Sequence, residues 1–203
     1  MNAGTNAGTN AGIKSDAPAS TRFAWLTAIA WLAACGHAAS TVRGPSAEVR
    51  AEVTQAETAE KARRHDLARQ HYERAIALAR GADDAAYARH EYAETLVSWG
   101  EMPAARAQLE AAVVAQPGDP GAWHDLGLLR HAAGDDERAI AALARAAQLA
   151  PDDVRPRTAL AALYWKRGDK ASAAREYRAM LGLDLPDRLR AKVEWALAEL
   201  AKP

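Results

Sequence analysis

Gly100, Gly134 and Gly168 stand 34 residues apart. Ala105, Ala139 and Ala173 keep that interval, as do Leu109, Leu143 and Tyr177, and Tyr92, Leu126 and Leu160. Pro117 and Pro151 mark it once more. A fixed period of this length leaves few ways to fold. Each period is too short to close a core of its own, so it must be one supersecondary unit stacked on its neighbours. The residues that fill it are strong helix formers, Ala above all, with Leu, Glu and Arg, which lose little side-chain freedom in a helix. Runs of alternating β-branched residues, which half-buried strands need, are missing. The expected fold class is all-α, a row of helix–turn–helix units. With a single Phe in the chain, the helices must pack close on small residues.

Each position class has a physical reason. Gly100, Gly134 and Gly168 fall just past a helix end, where glycine adopts a positive φ at little cost. Gly127, Ala93 and Ala161 let the two helices of a unit approach, and Ala105, Ala139 and Ala173 receive that contact. Leu109, Leu143 and Tyr177 fill the space between units. Asp119 before Pro120 reads as an N-cap followed by proline in the first turn. Pro117, Pro151 and Pro186 stop the preceding helix. The tail, Pro186 to Lys202, reads as one more amphipathic helix, with Leu189, Val193, Ala196 or Leu197, and Leu200 along one stripe. It would cap the exposed edge of the last unit.

The clearest unit, 120–153, resembles the tetratricopeptide repeat. Trp123, Leu126, Gly127, Gly134, Ala139, Leu143, Ala146 and Pro151 fall on that family's signature places, and Arg130 stands where a Tyr is common. The units 86–119 and 154–187 fit but lack the Trp, and Met180 stands for a small residue in the last. A weaker unit, about 49–85, matches through Ala68, Tyr72 and Ala75. It has no turn glycine, and its join at residues 81–84 adds three residues. The resemblance implies an α-solenoid of about four tetratricopeptide units over 47–203, closed by a capping helix at 187–202.

The resemblance also implies where a partner would bind. The first helix of each unit lines the concave face of such a superhelix. The family's lining places fall here on Arg50, Val53 and Glu57, then Tyr87, His90, Glu94 and Val97. They continue with His124, Leu128 and His131, then Arg155, Thr158, Trp165 and Lys166. This mixture, with no dominant sign of charge, suits a peptide or a helix from another protein. The carboxylate clamp of chaperone-binding relatives needs Asn at two groove places, and no Asn occurs after position 10.

Other function classes find little support. Lys plus Arg equals Asp plus Glu, 26 of each, whereas nucleic-acid binders carry a basic excess. No HExxH, paired CxxC or phosphate loop occurs. His124 and His131 lie two helical turns apart, about 10 Å, too far for an easy shared metal. His65 and His71 fall on different helix faces. Asp135 with Asp136, and Asp152 with Asp153, each open a helix, where capping and the dipole account for them. The expectation is a non-catalytic protein with no cofactor, no metal, no nucleic acid and no small-molecule substrate.

The N-terminus reads as an address. Residues 1–12 are low-complexity and expected to be disordered. Lys14 and Arg22 precede an apolar run from Phe23 to Ala34, shorter than the roughly 20 residues that span a bilayer but suited to a secretory signal. The run ends Leu32-Ala33-Ala34-Cys35, which resembles the bacterial lipobox. That resemblance implies a signal at 1–34, lipidation of Cys35 and a flexible tether over 35–46. It implies a bacterial envelope protein, anchored in the outer membrane by lipid and facing the periplasm. Cleavage after Ala38, which would discard Cys35, an incidental buried thiol and a retained anchor remain as other readings. The expected function is a lipid-anchored scaffold that assists assembly of an envelope machine of pilus or secretion type. The alternatives are an unanchored periplasmic or secreted binding module and a self-associating structural protein.

Overall fold

The computed structural model describes residues 44–202. The lipobox residues Leu32, Ala33 and Ala34, and Cys35 itself, lie outside the described residues, as does most of the expected tether. Among the described residues the chain forms nine helices and no strand: α1 Ala47–Lys61, α2 His65–Leu78, α3 Ala82–Ser98, α4 Met102–Ala115, α5 Pro120–Ala132, α6 Asp136–Leu149, α7 Val154–Lys166, α8 Lys170–Leu181 and α9 Asp187–Leu200. They pack as antiparallel pairs, α1 with α2, α3 with α4, α5 with α6 and α7 with α8, while α9 lies against α8. This is an all-α helical-repeat solenoid. None of these helices is long and apolar enough to cross a membrane.

Local chemistry sets the helix ends. Asp119, Asp135, Asp153 and Asp169 cap α5, α6, α7 and α8 by accepting backbone N–H bonds from Gly121, Arg138, Arg155 and Ser172. Gly100, Gly134 and Gly168 take φ of 81°, 82° and 79°. The residue after each returns its N–H to the carbonyl five positions back, Glu101 to Leu96, Asp135 to Arg130 and Asp169 to Tyr164, which closes the helix end. Pro186 differs from expectation: α8 already ends at Gly182, and Pro186 stands at the N-cap of α9.

The first unit makes the same turn without a glycine. Arg63 adopts φ 56°, and Arg64 donates to the carbonyl of Ala59 in the same closing bond. The left-handed conformation costs an L-residue about 1–2 kcal/mol, part of which glycine forfeits through its freer unfolded state. Arg63→Gly is therefore expected to stabilise the protein by about 0.5–1 kcal/mol, whereas Gly134→Ala should lose about 1 kcal/mol. Urea titrations of both variants check the opposite signs.

The helix α3 begins at Ala82, earlier than the repeat arithmetic places the unit, with Gly81 at its N-cap in extended conformation. The added turn carries Asp84 onto the start of α1. Its Oδ1 accepts the Ser46 N–H at 2.6 Å and its Oδ2 the Arg80 N–H at 3.4 Å. The Ser46 bond foremost holds this carboxyl below its ordinary value, against a smaller opposing effect of burial. Because the folded value is depressed, the contribution is complete above the ordinary carboxylate range and is lost as pH falls through it. In Asp84→Ala, α1 should fray at neutral pH, seen as faster amide exchange near Val49. The gap from the parent should narrow as pH falls below the ordinary carboxylate range.

The core runs along the array. A large cluster extends from Val49 and Val53 through Tyr72, Tyr92 and Leu96 to Leu109, Leu126 and Leu129. A second joins Ala139, Leu143 and Ala147 to Leu160 and Leu163 of the next unit. Two more gather around α8 and α9, where Val193, Ala196 and Leu200 are buried as the amphipathic stripe requires.

Candidate functional site

The fourteen candidate groove residues lie on the first helices α1, α3, α5 and α7, with Val53 buried and Val97 partly buried. Their exposure divides them. Arg50, Arg155, Thr158 and Lys166 are exposed, and Glu57, Tyr87, Glu94, Leu128, His131 and Trp165 are partly buried. His90 and His124 are buried, each 6% exposed. Several already have partners. Arg155 pairs with Asp153, His131 bonds Asp136, and the Thr158 hydroxyl donates to the carbonyl of Val154.

The buried histidines show what the resemblance missed. Both meet at Asp125, which was not among the expected lining residues. His90 Nε2–H donates to Asp125 Oδ2 at 2.7 Å, joining α3 to α5, and His124 Nδ1–H donates to Asp125 Oδ1 at 2.9 Å. A carboxylate only accepts, so the ring nitrogens facing it carry the protons. Asp119 Oδ2 lies 3.9 Å from His90 Nδ1, and Glu94 Oε1 4.0 Å from His90 Nε2. Gly121 borders the pair: a Cβ there would stand 3.4 Å from the edge of the His90 ring and 3.3 Å from Asp119 Oδ1. Burial works against a charge on His90, but the Asp125 bond and the surrounding carboxylates overcome it, raising its pKa to about 9. Burial likewise opposes ionisation of Asp125, yet the two imidazole bonds hold it well below the carboxylate range. These two histidines thus serve first as a junction between units, because an interior carboxylate stands between them.

The surface around the junction is acidic at one end. Glu91 is pushed up to about 7 by burial and then by Glu94, with Glu57 adding to it. Tyr87 is raised to about 12 by burial and the nearby Glu91. At the other end, Trp165 stacks on Trp195 of α9 with centroids 6.3 Å apart, and Tyr177 meets it edge-on at 6.3 Å. Trp195 is 64% exposed, so α9 adds an open aromatic surface to the end it caps. Glu91 and Trp195 were not grouped with the lining residues. A signal for Glu91 lay in its place one residue from His90, and one for Trp195 in its place off the buried stripe of the last helix, where a large aromatic has no core to fill.

The repeat residues sit as their chemistry requires. Leu126, Ala139, Leu143 and Ala146 are fully buried. Trp123 is partly buried and donates its Nε1–H to the carbonyl of Pro117 at 3.0 Å, tying α5 to the turn before it. Pro151 lies in the turn between α6 and α7. A Cβ on Gly127 would stand 2.6 Å from Leu143 Cγ and 3.2 Å from the Ala139 carbonyl oxygen, so this glycine sets how closely α5 and α6 approach.

Comparison with known proteins agrees with this architecture. Residues 120–163 match the family described as Tetratricopeptide repeat. Over 74 residues, 36% of the chain, the sequence is 34% identical to the human PEX5-related protein, and the match spans 12% of that protein's length. The crystal structure of MamA superposes with a TM-score of 0.58 at 19% identity, over 71% of this chain and 81% of that one. PilF of Pseudomonas aeruginosa gives 0.58 at 17% identity, over 75% and 73%. Tetratricopeptide repeats are generally non-catalytic protein-interaction modules. The unit matched by sequence as a tetratricopeptide repeat, 120–163, lies within a row of like helix pairs.

Proposed function

We propose that this protein is a non-catalytic scaffold, lipid-anchored in a bacterial envelope, that holds a peptide or helix of a partner during assembly of an envelope machine of pilus or secretion type. The observation that carries the binding part is the surface of the first helices. Once His90 and His124 are committed to Asp125, Tyr87, Leu128 and Trp165 remain there only partly covered, among acidic and basic groups. Partly covered aromatic and aliphatic groups ringed by charge are what protein interfaces use as anchors. The fold shared with PilF of Pseudomonas aeruginosa is compatible with a scaffold of this size. The anchor rests on the lipobox resemblance of Leu32-Ala33-Ala34-Cys35.

A photoreactive residue placed in cells at Leu128 or Trp165, with exposed Arg145 as control, tests the binding surface. A protein captured from Leu128 and Trp165 but not from Arg145 supports the reading and names the partner. Equal capture at all three sites counts against it. Metabolic labelling with an alkynyl fatty acid tests the anchor separately. Cys35→Ala should lose the label and leave the membrane fraction, because several acyl chains give firm anchoring and none gives none. Label retained in that variant would leave the unanchored binding module as the better description.

A further inference from the structure

We infer that His90, Glu94 and Asp125 form a site for one divalent transition-metal ion, with Zn2+ the fitting case, at the junction of the second and third units. One donor atom from each lies within 4.8 Å of the other two, and no other His, Cys, Asp or Glu cluster among the described residues does this with three members. Zn2+ bound to imidazole and carboxylate at about 2.0–2.1 Å in a tetrahedron sets its donors about 3.3 Å apart. The His90 Nε2 contacts bracket that spacing, 2.7 Å to Asp125 and 4.0 Å to Glu94. The third pair, Glu94 with Asp125, lies within 4.8 Å, so the three side chains must draw together to meet one ion.

The surroundings are those of a metal ligand set. A ligating histidine ordinarily turns its other nitrogen to a carboxylate; Asp119 Oδ2 stands on that side of the ring, at 3.9 Å from His90 Nδ1, beyond a direct hydrogen bond. The ligating carboxylate is itself held by a hydrogen bond, here from His124 Nδ1 to the second Asp125 oxygen at 2.9 Å. Two carboxylates neutralise a 2+ ion, which removes most of the cost of burying it. On binding, the ion takes the place of the proton now shared between His90 Nε2 and Asp125, and that proton leaves to solvent. Water fills the fourth position. The other histidine–carboxylate pairs, His71 with Glu52 and His131 with Asp136, lack a third donor. The ion would bridge α3 and α5, fixing the angle between adjacent units.

The test is equilibrium dialysis of the full, tag-free chain against Zn2+ after metal stripping. All proteins carry Cys35→Ser, so that the lone thiol supplies no ligand. Glu94, with a side chain 40% exposed, can be changed without unfolding the junction. One Zn2+ per chain is expected, weakened about tenfold or more in Glu94→Gln and unchanged in His71→Gln. The metal-free circular dichroism of Glu94→Gln should match the parent, which separates a lost ligand from a lost fold. Failure to bind Zn2+, equal affinity in Glu94→Gln, or an equal loss in His71→Gln would overturn the assignment.

Discussion

Asp125→Ala is expected to cost about 3–5 kcal/mol at neutral pH with a chelator present, the range found when one partner of a buried ion pair is removed. The magnitude follows from what remains. His90 and His124 each direct an N–H at Asp125, at 2.7 and 2.9 Å, and both rings are buried. Truncation removes the acceptor that both rings face, at about 1–3 kcal/mol for each bond lost, and leaves a small cavity. By comparison, an exposed cap lost in Asp135→Ala should cost only about 1 kcal/mol. A domain of this size holds roughly 5–15 kcal/mol in all, so a large share would be gone. The loss also has a place. In a linear array stability is a sum of units and interfaces, and Asp125 sits at the interface of the second and third units. Urea unfolding followed by far-UV circular dichroism should therefore broaden or split in two. A loss below about 1 kcal/mol with a single sharp transition would mean the junction carries no load.

The legible parts of this protein were those that repeat along one dimension. The turn glycines, the aspartate caps and the tight Gly127 place are local solutions to helix ends and helix approach, and the period exposes them by repetition. Arg63 escaped because the first unit solves the same turn without its marker, and the inserted residues before α3 shift the arithmetic. The junction escaped for a different reason. Asp125 lies 35 residues from His90, one period plus one, so it never falls on the same repeat place. A search along the chain for ligand spacings tests His124 against His131 on one helix. It does not test His90 against a carboxylate on the next unit. Lining places inferred from a family also describe backbone geometry only. Which side chains face a partner depends on whether an interior group claims them first, and here Asp125 claims two. The pairing of Trp165 with Trp195 escaped likewise, since α9 stands outside the repeat.

Gly127→Val should be as damaging as the loss of Asp125, at about 3 kcal/mol or more, by overpacking where Asp125→Ala leaves a gap. A single methyl at this place would already stand 2.6 Å from Leu143 Cγ and 3.2 Å from a backbone oxygen, and only the first can yield by a side-chain movement. Ala93 and Ala161 hold the equivalent places of the neighbouring units, so the fold accepts a methyl where the facing side chain is set for it. Gly127→Ala is already expected to be destabilising, because Leu143 is fully buried and its Cγ cannot swing away cheaply, and the better helix propensity of alanine, about 1 kcal/mol, offsets only part of the clash. Valine adds two further methyls and a stiff χ1, and α5 and α6 must then separate. The decisive measurement is a double-mutant cycle. Leu143→Ala alone should cost about 2–5 kcal/mol, since Leu143 is fully buried. If the damage in Gly127→Val is a collision with this side chain, the double variant will be more stable than the summed losses predict, by about 1–3 kcal/mol. Strict additivity would place the strain in the backbone at Ala139 instead. The close approach of the two helices would then be fixed by main chain against main chain, and no change at Leu143 could relax it.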